Sequence, residues 1–99
     1  MDLTYSSTKK MEKLLKQIKK RAPKLYDEIF DRQKEIIQDP SVGHYLKGDL
    51  KDFRSYDFKF QQVSIRICYV YEIEDAHLIF VYVGTRENFY KEVKRYLHD

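Results

Sequence analysis

Cationic side chains and one phenol stand in the second half of the sequence. The stretch VGTRENFY, residues 83–90, places Arg86 four residues before Tyr90. Arg66 lies within the run VSIRICYVYEI, and Lys59 lies near the end of FRSYDFKF. Arginine binds phosphate through a bidentate fork and lysine binds it as a point charge. Tyrosine stacks on an unpaired base or takes part in proton transfer. Such a set suits the binding of a phosphodiester.

RNA is one substrate for such a set, because its 2′-hydroxyl is a built-in nucleophile. Cleavage then requires a base, an acid and cations that stabilise the pentavalent phosphorane. We expect no metal and no cofactor, since the three histidines are far apart and no Cys/His cluster has zinc spacing. The alternatives are structural: Arg66 as a solvated or ion-paired side chain, and Tyr90 as a packing residue beside Phe89.

Hydrophobic periodicity predicts the elements that position these residues. Apolar residues at helical spacing predict one helix after an N-cap at Ser6 or Ser7, and a second that begins near Pro23 and ends at DPSVG. Runs rich in β-branched and aromatic residues, separated by QQ and EDA, predict an antiparallel meander. The predicted strands are 3–7 (an edge strand), 53–60, 63–73 and 77–83, and the last helix is roughly 87–97. The predicted fold is α+β: one domain, 1–99, a two-layer β-α-α-β-β-β-α arrangement with a mainly antiparallel sheet packed against a helical hairpin and a C-terminal helix.

Strand alternation sorts the charged residues into faces. Ile65, Ile67 and Tyr69 share one face of their strand, which leaves Arg66 on the opposite, more open face. Lys59 lies beside Arg66 if the first hairpin pairs in simple register. If the last helix begins near Arg86, its flank carries both Arg86 and Tyr90. Lys51, Lys59, Arg66, Arg86 and Tyr90 would then converge on one surface.

Charge and composition narrow the class further. The net charge is +3, but residues 1–24 carry eight Lys/Arg against two acidic residues. This basic block indicates a polyanionic or acidic partner, or else a solvated lysine-rich helix face. No apolar run has the length of a membrane span and the first residues do not resemble a signal peptide. One cysteine, Cys68, fits a reducing compartment, so we expect a cytoplasmic protein with no membrane partner.

Residues 44–97 resemble the RelE/ParE superfamily of type II toxin–antitoxin toxins. The resemblance rests on a leucine–lysine–glycine turn, an arginine–serine strand, IRICY, and an apolar strand that ends VGTREN–Y. It implies a small endoribonuclease that cleaves mRNA in the ribosomal A site, leaves a 2′,3′-cyclic phosphate and is silenced by a cognate antitoxin. The free toxin is expected to be monomeric. The basic first helix would contact ribosomal RNA or an acidic antitoxin.

The resemblance also assigns roles to residues of this sequence. Arg66 matches a strand arginine that contacts the scissile phosphate, and Arg86 an arginine that stabilises the transition state. Lys59 matches one of two sheet lysines, and Tyr90 the tyrosine of the last helix. Further substrate-binding candidates are Lys47, Lys51, Arg54 and His98.

The sequence departs from the RelE pattern in two places. Asp57 stands where the other sheet lysine is expected, and the spacing from Arg86 to Tyr90 is shorter than in RelE. The acid and base are therefore left open, with His98, Glu87 and His44 as substitutes. Two other functions remain open as well: a ParE-like, non-enzymatic inhibitor of DNA gyrase, and an inactive toxin fold that acts as a binding partner.

Overall fold

Two helices follow the first strand, and their ends agree with the capping signals in the sequence. The computed structural model describes residues 3–87 and 89–98, apart from the side chain of Tyr96. β1 (Thr4–Ser7) leads into α1 (Lys9–Arg21), and α2 (Pro23–Gln38) begins at the proline. The N-cap of α1 is Thr8, whose Oγ1 accepts a hydrogen bond from the Met11 amide at 3.1 Å. The predicted cap at Ser6 or Ser7 is wrong, because β1 pairs with β5 as far as Ser7.

The remaining strands form the predicted meander, with one addition. β3 (Arg54–Phe60), β4 (Val63–Glu72) and β5 (His77–Thr85) are antiparallel neighbours. The sheet order is β1-β5-β4-β3-β2, so β1 is the expected edge strand and pairs with β5 in parallel. The other edge is a two-residue strand that was not predicted, β2 (His44–Tyr45). Short 3₁₀ turns at Pro40–Val42 and Gly48–Leu50 flank it.

The hairpin between β3 and β4 fixes the register on which the site depends. Its two loop residues, Gln61 and Gln62, have φ angles of 49° and 68°. Two consecutive positive φ angles are typical of the type I′ turn, whose twist matches that of the flanking strands. Phe60 consequently pairs with Val63, and every earlier residue of β3 has a defined partner on β4.

The helices cover different faces of the sheet. The α1–α2 hairpin buries Met11, Ile29 and Ile36 against one face. On the sheet side this core contains Phe58, Ile65, Ile67, Tyr69, Leu78, Phe80 and Val83. α3 (Phe89–His98) packs on the opposite face, where Phe89 and Val93 meet a second cluster that contains Cys68. The predicted α+β class is confirmed. Within the described residues, no helix is long and apolar enough to cross a membrane.

Candidate functional site

The strand register brings three of the predicted cations onto the sheet face that α3 packs against. The residues at this end of that face form two cross-strand rows, Asp57–Arg66–Gly84 and Lys59–Ser64–Arg86. The second row ends at Arg86 because its amide donates a hydrogen bond to the Ser64 carbonyl at 3.0 Å. Lys59 is therefore diagonal to Arg66, and such neighbours lie typically about 7–8 Å apart, within reach of long side chains. We call these two rows, with their six residues, the cationic face.

Arg66 is the central and most covered residue of the cationic face. Its side chain is 14% exposed, and its guanidinium carbon lies 5.2 Å from the centroid of the Phe89 ring. Its Nε lies 3.5 Å from Asp57 Oδ2 but is buried without a hydrogen-bond partner. A buried donor without a partner is costly, and the ion pair with Asp57 offsets that cost only in part.

Lys59 and Arg86 present their side chains to solvent on either side of Ser64. Two hydrogen bonds hold the main chain of Arg86. Its amide donates to the Ser64 carbonyl, and its carbonyl accepts from the Phe89 amide at 3.2 Å. Arg86 borders an open depression of about 500 Å³ whose lining includes Ser64 and Glu87. Neither Lys59 nor Arg86 has an ion pair within residues 3–87 and 89–98, which leaves both cations available to a phosphate.

Tyr90 does not reach the cationic face in the manner predicted. α3 begins at Phe89, so Arg86 precedes the helix and the i, i+4 spacing does not place the two side chains on one flank. The Tyr90 hydroxyl instead accepts a hydrogen bond from the Lys47 amide at 3.1 Å, and its ring packs on the cluster around Leu46. This hydrogen bond makes Tyr90 an anchor of α3, and its catalytic role stays a prediction.

Lys47 and Lys51 lie on the segment between β2 and β3, beside α3. The segment is fixed by Leu46 and Leu50, both of which are 3% exposed under the helix. A salt bridge of 3.3 Å from Lys94 to Asp49 joins the same two elements at the surface. Lys47 and Lys51 are both exposed, but they lie on the segment that packs against α3 and not in the two strand rows of the cationic face.

Arg54 and His98 lie away from the cationic face, and their substrate-binding role stays a prediction. Arg54 pairs with Tyr69 on the sheet face that the helical hairpin covers. Its guanidinium donates to the Gly43 carbonyl at 3.1 Å and to the Tyr45 hydroxyl at 2.8 Å. His98 is exposed at the last position of α3, about 14 Å along the helix axis from Phe89. His44 is exposed on β2, opposite Ser55.

Cys68 is not suited to act as a catalytic nucleophile. The thiol is fully buried, and burial raises its pKa to about 12. A thiol with such a pKa remains protonated near neutral pH and is a poor nucleophile. Burial also raises the pKa of the neighbouring Tyr82. In the described part of the chain, no three His, Cys, Asp or Glu side chains are arranged to hold a metal ion.

The sequence marked Asp57 only as a departure from the RelE pattern, and Ser55 and Gly84 were not singled out. Ser55 is fully buried on the same face of β3 as Asp57, and its hydroxyl donates to Asp57 Oδ1 at 2.7 Å. Gly84 is the partner of Arg66 on β5, and a Cβ there would lie 2.7 Å from the Tyr82 hydroxyl. Alternation along FRSYDFKF puts Ser55, Asp57 and Lys59 on one face of the strand. That signal is sufficient to assign the Asp57 carboxylate to the same site as Lys59.

Comparison with known proteins identifies the family. The sequence profile of the ParE-like toxins of type II bacterial toxin–antitoxin systems matches residues 5–94. The chain therefore belongs to this family, and it is a type II toxin of the RelE/ParE kind. The search of curated protein sequences found no match.

Solved structures agree with this assignment at the level of the fold. The RelBE2 toxin–antitoxin complex of Mycobacterium tuberculosis contains a chain that is 17% identical, with a TM-score of 0.72 over 87% of this chain and 100% of that one. The isolated RelE toxin of E. coli is 18% identical, with a TM-score of 0.66 over 94% and 97%. The conserved hypothetical protein HP0892 of Helicobacter pylori is 30% identical, with a TM-score of 0.55 over 85% and 94%.

Proposed function

We propose that this toxin is an endoribonuclease that cleaves mRNA on the ribosome, in the cytoplasm, and thereby inhibits translation. The observation that carries the proposal is the register that gathers Lys59, Arg66 and Arg86 on one sheet face. Within the described residues, Lys59 and Arg86 are exposed and make no ion pair, and Arg66 lies largely covered beside Asp57. A structural role would not require three cations on one face with a single carboxylate among them.

The chemistry proposed for the cationic face is attack by the 2′-hydroxyl of RNA on the adjacent phosphate, with no metal and no cofactor. Arg66 binds a non-bridging phosphate oxygen from the sheet floor. Arg86 and Lys59 approach the same phosphate from the solvent side and stabilise the charge that develops on the phosphorane. Removal of one such electrostatic stabiliser typically lowers the rate by about 10²–10³-fold. Lys47 and Lys51, beside α3, are assigned to the flanking RNA or ribosomal RNA.

A cognate antitoxin is the protein partner that we assign to this chain. Two of the structures that resemble it are RelBE toxin–antitoxin complexes. The exposed lysines of α1 offer an acidic segment a complementary surface. We assign a monomeric state to the free toxin.

A second candidate function is inhibition of DNA gyrase. It is favoured by the match to ParE-like toxins and by Asp57, which lowers the positive charge of the cationic face. This candidate gives the three cations no catalytic task, so their removal would leave RNA metabolism unchanged.

The experiment that tests the proposal maps RNA 5′ ends in cells induced to express the wild type or Arg86→Ala. The matched control is Arg95→Ala, which removes an exposed arginine from the last turn of α3. We expect new 5′ ends within translated codons for the wild type and for Arg95→Ala, and their absence for Arg86→Ala. Intact messages together with growth arrest and DNA damage would overturn the proposal in favour of gyrase. Intact messages without arrest would indicate an inactive fold.

A further inference from the structure

Asp57 is the one acidic side chain within the two rows of the cationic face. It pairs directly with Arg66 across β3 and β4, and its Oδ2 lies 3.5 Å from Arg66 Nε. Its other oxygen, Oδ1, accepts the hydroxyl hydrogen bond of the fully buried Ser55 at 2.7 Å. The side chain remains 39% exposed, so it is held in place and still open to a ligand.

Four other candidate proton acceptors are less well placed than Asp57 to act on a phosphate held by Arg66. The Tyr90 hydroxyl accepts a hydrogen bond from the Lys47 amide, and the Cys68 thiol is fully buried. His98 is a helix length away. Glu87 is exposed and lines the depression beside Arg86. It follows Arg86, which is the last residue of the row Lys59–Ser64–Arg86.

We propose that Asp57 is the general base of the cleavage reaction, an inference that rests on the proposed function. Oδ2 takes the proton of the 2′-hydroxyl, and O2′ forms a bond to the phosphorus held by Arg66. The bond from phosphorus to O5′ breaks, and the leaving oxygen takes a proton from water. The products are a 2′,3′-cyclic phosphate and a 5′-hydroxyl, so atoms and charge balance.

The contacts of Asp57 explain why a carboxylate is tolerated beside an anionic substrate. Arg66 lies next to it and offsets its charge, and Lys59 follows two residues later on the same face of β3. The Ser55 hydrogen bond holds Oδ1, which leaves Oδ2 directed towards Arg66 and the phosphate that Arg66 would bind. A base must lie within hydrogen-bond reach of the proton that it removes, and Asp57 meets this condition when the 2′-hydroxyl lies beside the phosphate that Arg66 binds.

The test is the pH dependence of single-turnover cleavage of mRNA bound to purified ribosomes, measured with the wild type, Asp57→Asn and Asp57→Glu. Asparagine has nearly the same shape and can still accept the Ser55 hydrogen bond, but it lacks the charge that pairs with Arg66, so thermal unfolding of each variant is measured alongside its rate. The charged or titratable groups that face Asp57 are Arg66 from β4, Lys59 from β3 and His44 from β2, whereas Phe89 of α3 carries no charge. Asp52→Asn is the control, because that carboxylate is exposed in the turn before β3.

We expect Asp57→Asn to lower the cleavage rate by about 10²–10⁴-fold and to remove the fall in rate towards acidic pH. Asp57→Glu should retain that fall and part of the rate, and Asp52→Asn should match the wild type. A rate for Asp57→Asn within tenfold of the wild type, with the acidic fall retained, would overturn the inference while the nuclease remains established. A faster Asp57→Asn would also overturn it. A wild type that leaves the mRNA intact would refute the proposed function itself.

Discussion

Tyr69 connects the end of the helical hairpin to the sheet, and its hydroxyl gives a clear test of the packing. The side chain is fully buried. Its hydroxyl accepts a hydrogen bond from the Gly43 amide at 2.9 Å and donates one to the Pro40 carbonyl at 2.7 Å. Tyr69→Phe removes only the oxygen, so the ring still fills its space while both backbone groups lose their partner.

The cost follows from the burial of those two groups. A buried polar group left without a hydrogen bond costs about 1–3 kcal/mol. The Gly43 amide is buried, whereas Pro40 is half-buried, so water can reach part of that residue. We therefore expect Tyr69→Phe to lower the free energy of unfolding by about 2 kcal/mol. For a chain of 99 residues this corresponds to a decrease in Tm of roughly 10 °C.

The assay is urea and thermal unfolding of the wild type, Tyr69→Phe and the matched variant Tyr71→Phe. Tyr71 lies two residues further along β4 and packs half-buried against the same core. Its hydroxyl makes no hydrogen bond to any other described residue, so Tyr71→Phe should change stability by less than about 0.5 kcal/mol. If the two variants are equally stable, the reasoning on the Tyr69 hydroxyl is refuted.

Three further predictions concern other side chains. The buried Cys68 thiol, with its pKa of about 12, should resist iodoacetamide in the folded protein and react fully in denaturant; mass spectrometry that finds rapid modification of the native protein would contradict this. Burial raises the pKa of Tyr69 and Tyr82 above the unfolded value of about 10, so their contribution to stability is complete below about pH 10 and is lost as the pH rises through the folded pKa. Chemical unfolding between about pH 8 and 11 should show this decline, and a constant free energy would speak against it. Tyr90→Phe should destabilise the protein by about 1 kcal/mol, because the hydroxyl accepts a hydrogen bond from the Lys47 amide. The same variant should leave the cleavage rate within tenfold of the wild type. A loss of about 10²-fold in single-turnover rate would show that Tyr90 is catalytic.

The strands and their faces could be predicted because a period of two residues depends only on local sequence. Ile65 and Ile67 face one core and Arg66 the other side, as alternation along β4 requires. The sequence also predicted that Lys59 lies near Arg66, because the two-residue turn at Gln61 and Gln62 gives the simple strand register.

The features that were missed depend on contacts between distant residues. β2 has only two residues and therefore carries no periodicity. The start of α3 was placed too early, because Arg86 continues the pairing of β5 through its bond to Ser64 and the helix begins only at Phe89. The anchoring of Tyr90 could not be seen either, since its partner Lys47 is 43 residues away in the chain.

The most direct test of the central claim is the chemistry of the cut. Purified toxin is incubated with ribosomes that carry an mRNA with ribose, or with a single 2′-deoxyribose, at the nucleotide whose phosphate is cleaved. If the cationic face promotes attack by the 2′-hydroxyl, the ribose mRNA yields a 2′,3′-cyclic phosphate and a 5′-hydroxyl, and the deoxy mRNA remains intact. Equal cleavage of both messages, or products with 5′-phosphate ends, would contradict the account.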